Sequence, residues 1–186
     1  YFPFLVLLAV TTVLEVNHQV PEGVKFLHGD TYRAFTAVGD VAGVLFLVGV
    51  VWALLRRYGP RRFRPYRIRI KSRPEHAAVL LVFLAIGVTG FGAEAFRIAL
   101  VDASSRGAET WSVVGHPLAS VVDRFGLLAD HAAGWHQVWW VAHVASFVAF
   151  LVLLPVTMIR HMFTSPLNMY LRDQDRPKGA MKPLPD

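Results

Sequence analysis

The stretch WHQVWWVAHVASFVAFLVLLPVTMIRH, residues 135–161, decides the fold. From Trp135 to Ile159 it is almost wholly apolar, and its length is enough to cross a bilayer as one α-helix. His143 and His161 stand eighteen residues apart near its two ends. In a continuous helix that spacing is about five turns and a rise of about 27 Å, so both imidazoles project from one face. We therefore predict a membrane helix with one imidazole near each membrane surface.

The composition places the whole chain in the membrane class. Apolar residues make up 54% of the 186 residues, charged residues 17%, and the mean hydropathy is +0.43, which is rare in soluble domains of this size. Three other stretches are long enough, or nearly so, to span a bilayer: residues 1–16, 34–55 and 76–101. The amphipathic stretch Pro117–Asp130 predicts a short helix on the membrane surface. The predicted fold class is an all-α integral membrane bundle of about four transmembrane helices plus this short helix.

The charges predict the orientation. Between Leu55 and Pro74 there are nine basic residues and no acidic residue. Because cytoplasmic loops carry an excess of Lys and Arg, the basic loop 56–73 and the C-terminus are expected inside a bacterial cytoplasmic membrane, with the chain crossing it several times. Anionic lipid is the expected neighbour of this loop, and nucleic acid is not, because membrane helices flank it on both sides. Without cysteine, the chain itself holds neither disulfides nor an iron–sulfur cluster.

A second histidine is expected at the level of His161. His76 begins the third apolar stretch, which runs antiparallel to the fourth, so His76 and His161 can face each other near the inner surface and hold a haem iron. Interfacial histidines that only cap helix ends are the ordinary alternative. Gly87 and Gly90 leave a flat strip on which a porphyrin could lie, although small residues also serve close helix packing.

Glu94 lies eighteen residues after His76, on the same helix face and at the expected depth of His143. An ionisable side chain inside a membrane helix is costly and usually functional. Three roles stay open: a proton carrier for a quinone, a hydrogen-bond partner of His143, or an ion pair with Arg97. Among the outer histidines, His28 and His136 are the candidates for a second ligand beside His143.

The segment from His143 to Pro166, ending PVTMIRHMFTSPLN, resembles the last membrane helix of the nitrate reductase gamma subunit family. In that family two haem-ligating histidines have the spacing of His143 and His161. The second is flanked by a set of proline, hydroxyl, basic and aromatic residues, here Pro155, Thr157, Arg160, Phe163, Thr164, Ser165 and Pro166. The third stretch, PEHAAVLLVFLAIGVTGF, resembles the partner helix, with His76 at the matching place. The resemblance implies that these three histidines bind haem b. Ile86 stands where a second histidine is usual, which leaves a second haem open.

Over roughly residues 33–170 the chain is similar to relatives of that family that fuse this domain to an iron–sulfur region resembling heterodisulfide reductase. Some of them are thought to pass electrons from electron-transfer flavoprotein to menaquinone. The resemblance implies a transmembrane cytochrome b domain over residues 1–171 and a cytoplasmic linker over residues 172–186 towards an iron–sulfur domain. It also implies a relay from that partner through the haem to menaquinone. Arg73 and Arg160 would pair with haem propionates, unless they only reflect the positive-inside rule.

Two other functions compete with this interpretation. A cofactor-free transporter or structural membrane protein would use His76, Glu94 and His143 as a proton or ion pathway. The paired terminal histidines favour the haem, and the isoleucine at position 86 favours the transporter. A cytochrome that serves another dehydrogenase, such as a hydrogenase or a formate enzyme, is the third possibility. Colour distinguishes the haem protein from the cofactor-free transporter, because only the haem protein absorbs visible light.

Overall fold

The computed structural model describes residues 2–60, 73–100, 111–124 and 132–172. Within these ranges the chain forms α-helices joined by short turns and 3₁₀ segments. The helices are α1 Phe2–Gln19, α2 Gly29–Tyr58, α3 Pro74–Leu100, α4 Gly115–Arg124, α5 Ala132–Val156 and α6 His161–Tyr170. Most of the predicted basic loop, and the predicted linker beyond Arg172, lie outside the described residues. The all-α membrane bundle predicted from the sequence is confirmed.

Four of these helices, α1, α2, α3 and α5, are long and apolar enough to cross a membrane. The longest, α2, has 30 residues and so measures about 45 Å, more than the roughly 30 Å of a bilayer's hydrocarbon core. Its polar first turn, where Asp30 pairs with Arg33 at 3.1 Å, therefore precedes the apolar run. Large apolar side chains on the outer faces are exposed, as lipid-facing residues are. The chain is a multi-pass membrane protein.

The helices follow one another as antiparallel neighbours: α1 packs on α2, α2 on α3, and α3 most extensively on α5, while α4 crosses α3. We call the end where α2 and α5 finish and α3 begins the basic end, since Arg56, Arg57 and Arg73 lie there. The opposite end, covered by α4, is the far end. That the basic end faces the cytoplasm stays a prediction from the charges.

Phenylalanine rings fill the centre of the bundle on the basic-end side. Phe4, Phe46, Phe83 and Phe150 come one from each membrane helix, with ring centroids 5.3–6.3 Å apart. Tilted and edge-on rings at such distances add favourable contacts beyond burial. Phe150 of α5 thus faces other helices, whereas Phe147 is exposed, and the four rings fill the bundle centre at this level.

At the far end, α4 covers the end of α3, as the amphipathic pattern predicts. It begins at Gly115, two residues earlier than predicted, and is described as far as Arg124. Residues 125–130 of the predicted helix lie outside the described ranges. Within α4, Ala119 is buried, whereas Leu118 and Val121 are exposed, which suits a helix that lies at a membrane surface.

The fourth predicted span does not run to Ile159 as one helix. α5 ends at Val156, Thr157 is extended with φ −110° and ψ 178°, and a 3₁₀ turn then leads into α6. Pro155 explains the break, because it has no N–H for the carbonyl of Leu151 and its ring crowds that carbonyl. The prediction of one continuous helix from His143 to His161 is wrong, and the shared face that was inferred from it stays a prediction.

Candidate functional site

Two carboxyl groups meet inside the bundle at the far end. Asp40 of α2 is 3% exposed, and Glu94 of α3 is half-buried. The Ser112 hydroxyl oxygen lies 3.0 Å from Oδ2 of Asp40 and 3.0 Å from Oε1 of Glu94. The backbone N–H of Val114 donates to the same Oδ2 at 2.8 Å. We call Asp40, Ser112 and Glu94 the carboxyl cluster.

Close packing of α2 on α3 sets the register that brings the two acids together. A Cβ on Gly43 would lie 2.7 Å from the ring of Phe91, and one on Gly87 would overlap Leu47. Small residues at such positions let membrane helices approach closely. Asp40 precedes Gly43 by about one turn, which carries it to the level of Glu94 on the antiparallel helix.

Gly115 lets the chain close over the cluster. A Cβ there would lie 2.5 Å from the hydroxyl oxygen of Ser112 and 2.9 Å from the carboxyl carbon of Glu94. No larger residue fits without moving one of these groups, and Ser112 is only 1% exposed. The segment before α4 therefore shields Asp40 and Ser112 from water at the far end, and leaves Glu94 half-buried.

The hydrogen count of the cluster requires a shared proton. A serine hydroxyl has a single hydrogen and can donate it to one acceptor at a time, while ionised carboxylates only accept. Both contacts of Ser112 are hydrogen bonds only if one carboxyl group is protonated and donates to the serine oxygen. Asp40 already accepts from the amide of Val114, so the arrangement favours the proton on Glu94 and the negative charge on Asp40.

Sequence reasoning found Glu94 but missed Asp40 and Ser112. The signal for Asp40 was available, because it is an acid inside the apolar run that begins at Ala34. Ser112 had no such signal, since a serine in a long polar connection is ordinary. Only the folded chain brings it between two acids from different helices.

His143 lies against α3. Its Nδ1 is 3.1 Å from the carbonyl oxygen of Ile86 and 3.1 Å from Oγ1 of Thr89, whose hydroxyl donates to Ala85 at 2.6 Å. A carbonyl only accepts, so this network assigns the hydrogen to Nδ1 and leaves a lone pair on Nε2. An imidazole oriented in this way is ready to bind a metal or to accept a proton.

The described residues do not form the predicted hydrogen bond between Glu94 and His143. His143 bonds at Ile86, about two turns before Glu94, so the two side chains are not at one depth as predicted. Glu94 instead bonds to Ser112. Arg97 lies one turn further along α3, and its positive charge acts on the same carboxyl group. The roles as proton carrier and as charge partner of Arg97 remain.

His136 is held in the same manner as His143. Its Nδ1 is 3.2 Å from the carbonyl oxygen of Ala93. His136 and His143 are seven residues apart on α5, and their partners Ala93 and Ile86 are seven residues apart on α3. Seven residues rise about 10.5 Å along α5, and the two rings bond to different carbonyls of α3. The role of His136 as a second ligand beside His143 stays a prediction. His28, exposed before α2, has no described contact with His143.

The basic end does not bring His76 and His161 together in the described contacts. His76 is half-buried in the first turn of α3. His161 is exposed at the start of α6, and its Nδ1 bonds to the carbonyl of Met158. The break after α5 carries His161 onto a helix that packs on the 3₁₀ turn before it. Their pairing around an iron stays a prediction.

Haem b, implied by the family resemblance, is supported by single imidazoles but not by a described pair. The described residues contain no group of three or more metal-ligating side chains, although a haem iron needs only two. His143 and His161 each bond through Nδ1 to a carbonyl, as iron-ligating histidines commonly do. Leu47 covers Gly87 and the His143 ring covers Gly90, so these glycines form no open porphyrin surface. The ligand chemistry fits haem, and the second ligand stays unassigned.

Similarity to a known protein extends along almost the whole chain. The EtfAB:quinone oxidoreductase of Syntrophomonas wolfei subsp. wolfei (strain DSM 2245B / Goettingen) is 29% identical over 188 residues, covering 97% of this chain and 25% of that protein. The chain thus spans about a quarter of the relative's length. No family model matches the chain, and no solved structure matches it. The resemblance to quinone-linked relatives is consistent with this similarity, and the nitrate reductase gamma resemblance stays a prediction.

Proposed function

We propose that this chain is the membrane domain of a quinone-linked oxidoreductase, in which electrons from a cytoplasmic iron–sulfur partner reach menaquinone. The carboxyl cluster carries the proposal: a buried Asp40 and a half-buried Glu94 joined through Ser112 by hydrogen bonds that require a proton on one of the two acids. Reduction of a quinone to a quinol consumes protons as well as electrons, so a membrane enzyme needs such a group. The name of the similar EtfAB:quinone oxidoreductase supports the same substrate class.

In this proposal Glu94 is the proton donor to the quinone. Its protonated carboxyl group gives a proton to a quinone oxygen and becomes a carboxylate, which regains a proton from water because Glu94 is only half-buried. Ser112 accepts from the protonated Glu94 and donates to Asp40, so its hydroxyl holds the two carboxyl groups in place. Asp40, fixed by the amide of Val114, is the acceptor that holds Ser112 in place. Positioned proton donors of this kind accelerate reactions by roughly 100- to 10,000-fold.

Haem b is the electron carrier in this proposal, with His76, His143 and His161 as its candidate ligands. Bound there, it would supply one-electron transfer at a potential set by its ligands and surroundings. The contacts of His143 with Ile86 and Thr89 hold the ring and its tautomer in place for that role. Residues 172–186 are proposed to lead to the iron–sulfur domain, with electron-transfer flavoprotein as the candidate donor.

Quinone reduction by the purified protein tests the role of the cluster. In liposomes with a menaquinone analogue and a chemical reductant, we expect Glu94→Gln to lower the rate about 100-fold and Asp40→Asn to lower it less. Glu75→Gln is the matched control, because it is an exposed glutamate in the first turn of the same helix. Equal rates for Glu94→Gln and Glu75→Gln would remove Glu94 from the mechanism.

A reduced-minus-oxidised visible spectrum tests the haem. We expect haem b bands in the wild type and a loss of haem per chain in His76→Ala, His143→Ala or His161→Ala, with His18→Ala as the control. A colourless wild-type protein would contradict the haem and would favour the transporter, with His76, Glu94 and His143 as a proton pathway.

A further inference from the structure

Three buried polar side-chain atoms have no hydrogen-bond partner among the described residues: Nη1 of Arg57, Nδ1 of His76 and Oγ1 of Thr157. They come from three separate parts of the chain: the last turn of α2, the first turn of α3 and the extended residue after α5. Native proteins rarely leave such atoms unpaired, because each loses its bonds to water on burial. Thr157 is 6% exposed, so water has little access to its hydroxyl.

The chain segments that carry Arg57 and His76 are joined at one backbone carbonyl. The hydroxyl of Tyr58, next to Arg57, donates to the carbonyl oxygen of Arg73 at 2.9 Å. The backbone N–H of His76 donates to that same oxygen at 3.0 Å. The end of α2 is therefore fixed against the first turn of α3, and Arg57 lies at the level of His76.

The third residue is placed by the phenylalanine contact between α3 and α5. The rings of Phe83 and Phe150 are 5.3 Å apart. His76 lies seven residues before Phe83, and Thr157 lies seven residues after Phe150. In antiparallel helices both steps lead about 10.5 Å towards the basic end. The three unpaired atoms therefore belong to one level of the bundle, and we call Arg57, His76 and Thr157 the basic-end triad.

The chemistry of the triad selects an anion. A guanidinium group only donates and is permanently positive, a threonine hydroxyl can donate, and a neutral imidazole donates through whichever nitrogen is protonated. The neighbouring segment 56–73 contains nine basic residues and no acidic residue. We propose that the basic-end triad binds an anionic oxygen ligand, a carboxylate or a phosphate, at the membrane surface.

Two sources could supply that ligand. One is the propionate of a haem, which rests on the function proposed above. The other is the phosphate of an anionic phospholipid, which does not. Arg73 and Arg160, the arginines predicted from the sequence to hold propionates, are both exposed. Arg57 replaces them here, because its guanidinium nitrogen is buried and lacks a described partner.

The test compares two adjacent arginines. Arg57→Gln and Arg56→Gln remove the same charge one residue apart, but Arg56 is exposed. Phosphatidylglycerol is titrated into the purified protein in a neutral detergent, its binding is counted by native mass spectrometry, and zwitterionic phosphatidylcholine is the comparison lipid. Haem per chain and the haem midpoint potential are measured on the same samples. Thr157→Val is a second, nearly isosteric variant that keeps the test valid if Arg57→Gln folds poorly.

Each result decides between the sources or against the proposal. A phosphate ligand predicts roughly tenfold weaker phosphatidylglycerol binding in Arg57→Gln and Thr157→Val, with haem unchanged. A propionate ligand predicts lost haem or a shifted potential in these variants, with lipid binding unchanged. If neither lipid nor haem differs from Arg56→Gln, the anion site is wrong. A wild type without haem would refute the haem of the proposed function, while the lipid titration would still test the triad.

Discussion

The two ends of this bundle treat their buried polar groups in opposite ways. At the far end, Asp40, Ser112 and Glu94 satisfy one another through hydrogen bonds of 3.0 Å, with a backbone amide completing the set. At the basic end, Arg57, His76 and Thr157 each present a buried atom without a described partner. Both ends are built from three separate parts of the chain. They differ in that only the basic-end atoms lack described hydrogen-bond partners.

The comparison separates a complete site from an incomplete one. The carboxyl cluster carries its own hydrogen-bond partners and can hold a proton without any added group. The basic-end triad offers donors and a positive charge that have no described partner, as a binding site does before its ligand arrives. Replacing residues at the far end should therefore cost stability, whereas the same replacements at the basic end should chiefly change binding.

The largest loss of stability is expected for Asp40→Ala. It removes the acceptor of the Val114 amide and of the Ser112 hydroxyl, so the free energy of unfolding should fall by about 3 kcal/mol. Asp30→Ala, on the exposed first turn of the same helix, should cost at most about 0.5 kcal/mol. Unfolding in mixed micelles followed by circular dichroism measures both. Equal losses would mean that the cluster contributes nothing to stability.

A second test asks how tightly the far half of α3 packs on α5. A Cβ on Gly92 would overlap the ring of Trp139, whereas nothing lies within 4 Å of one on Gly49. Gly92→Ala should therefore lower the free energy of unfolding by about 1–3 kcal/mol through overpacking. Gly49→Ala should raise it by roughly 0.5–1 kcal/mol in the same assay, since alanine favours a helix. A harmless Gly92→Ala would show that the two helices are further apart than described.

A matched pair of hydroxyl deletions tests the contrast directly. Ser112→Ala and Thr157→Val each remove one buried hydroxyl group, one at each end. We expect Ser112→Ala to cost about 1–2 kcal/mol, because a bridging hydrogen bond is lost. In protein stripped of lipid and haem, Thr157→Val should change stability by less than about 0.5 kcal/mol or increase it. Similar losses in both variants would end the distinction between the two ends.

The smallest energetic effect is expected for Pro155→Ala. Alanine restores the N–H that the Leu151 carbonyl lacks, so α5 should extend past Thr157 with a stability change within about 0.5 kcal/mol. Amide hydrogen exchange of Met158–Arg160 should then slow. Pro166→Ala, within α6, should leave these amides unchanged. Unaltered exchange in Pro155→Ala would assign the break to contacts other than the proline.

The sequence by itself determined the class, the spans and the surface helix. Long apolar runs must form helices in a bilayer, because no water is present there to satisfy the backbone. The sequence also singled out Glu94, since an acid in such a run is costly. The length of α5 was overestimated, because the apolar pattern continues through Pro155 while the helical backbone hydrogen bonds do not.

Only the tertiary structure decided which polar groups meet. Ser112 lies between acids from two other helices because Gly43, Gly87 and Gly115 permit close approach, and no local pattern encodes such a distant contact. The depth of His143 relative to α3 is likewise shown by its hydrogen bond to Ile86. Helical spacing along one segment does not give this depth. Periodicity fixes the face of each helix, but the depth at which two helices face each other depends on how their side chains interlock.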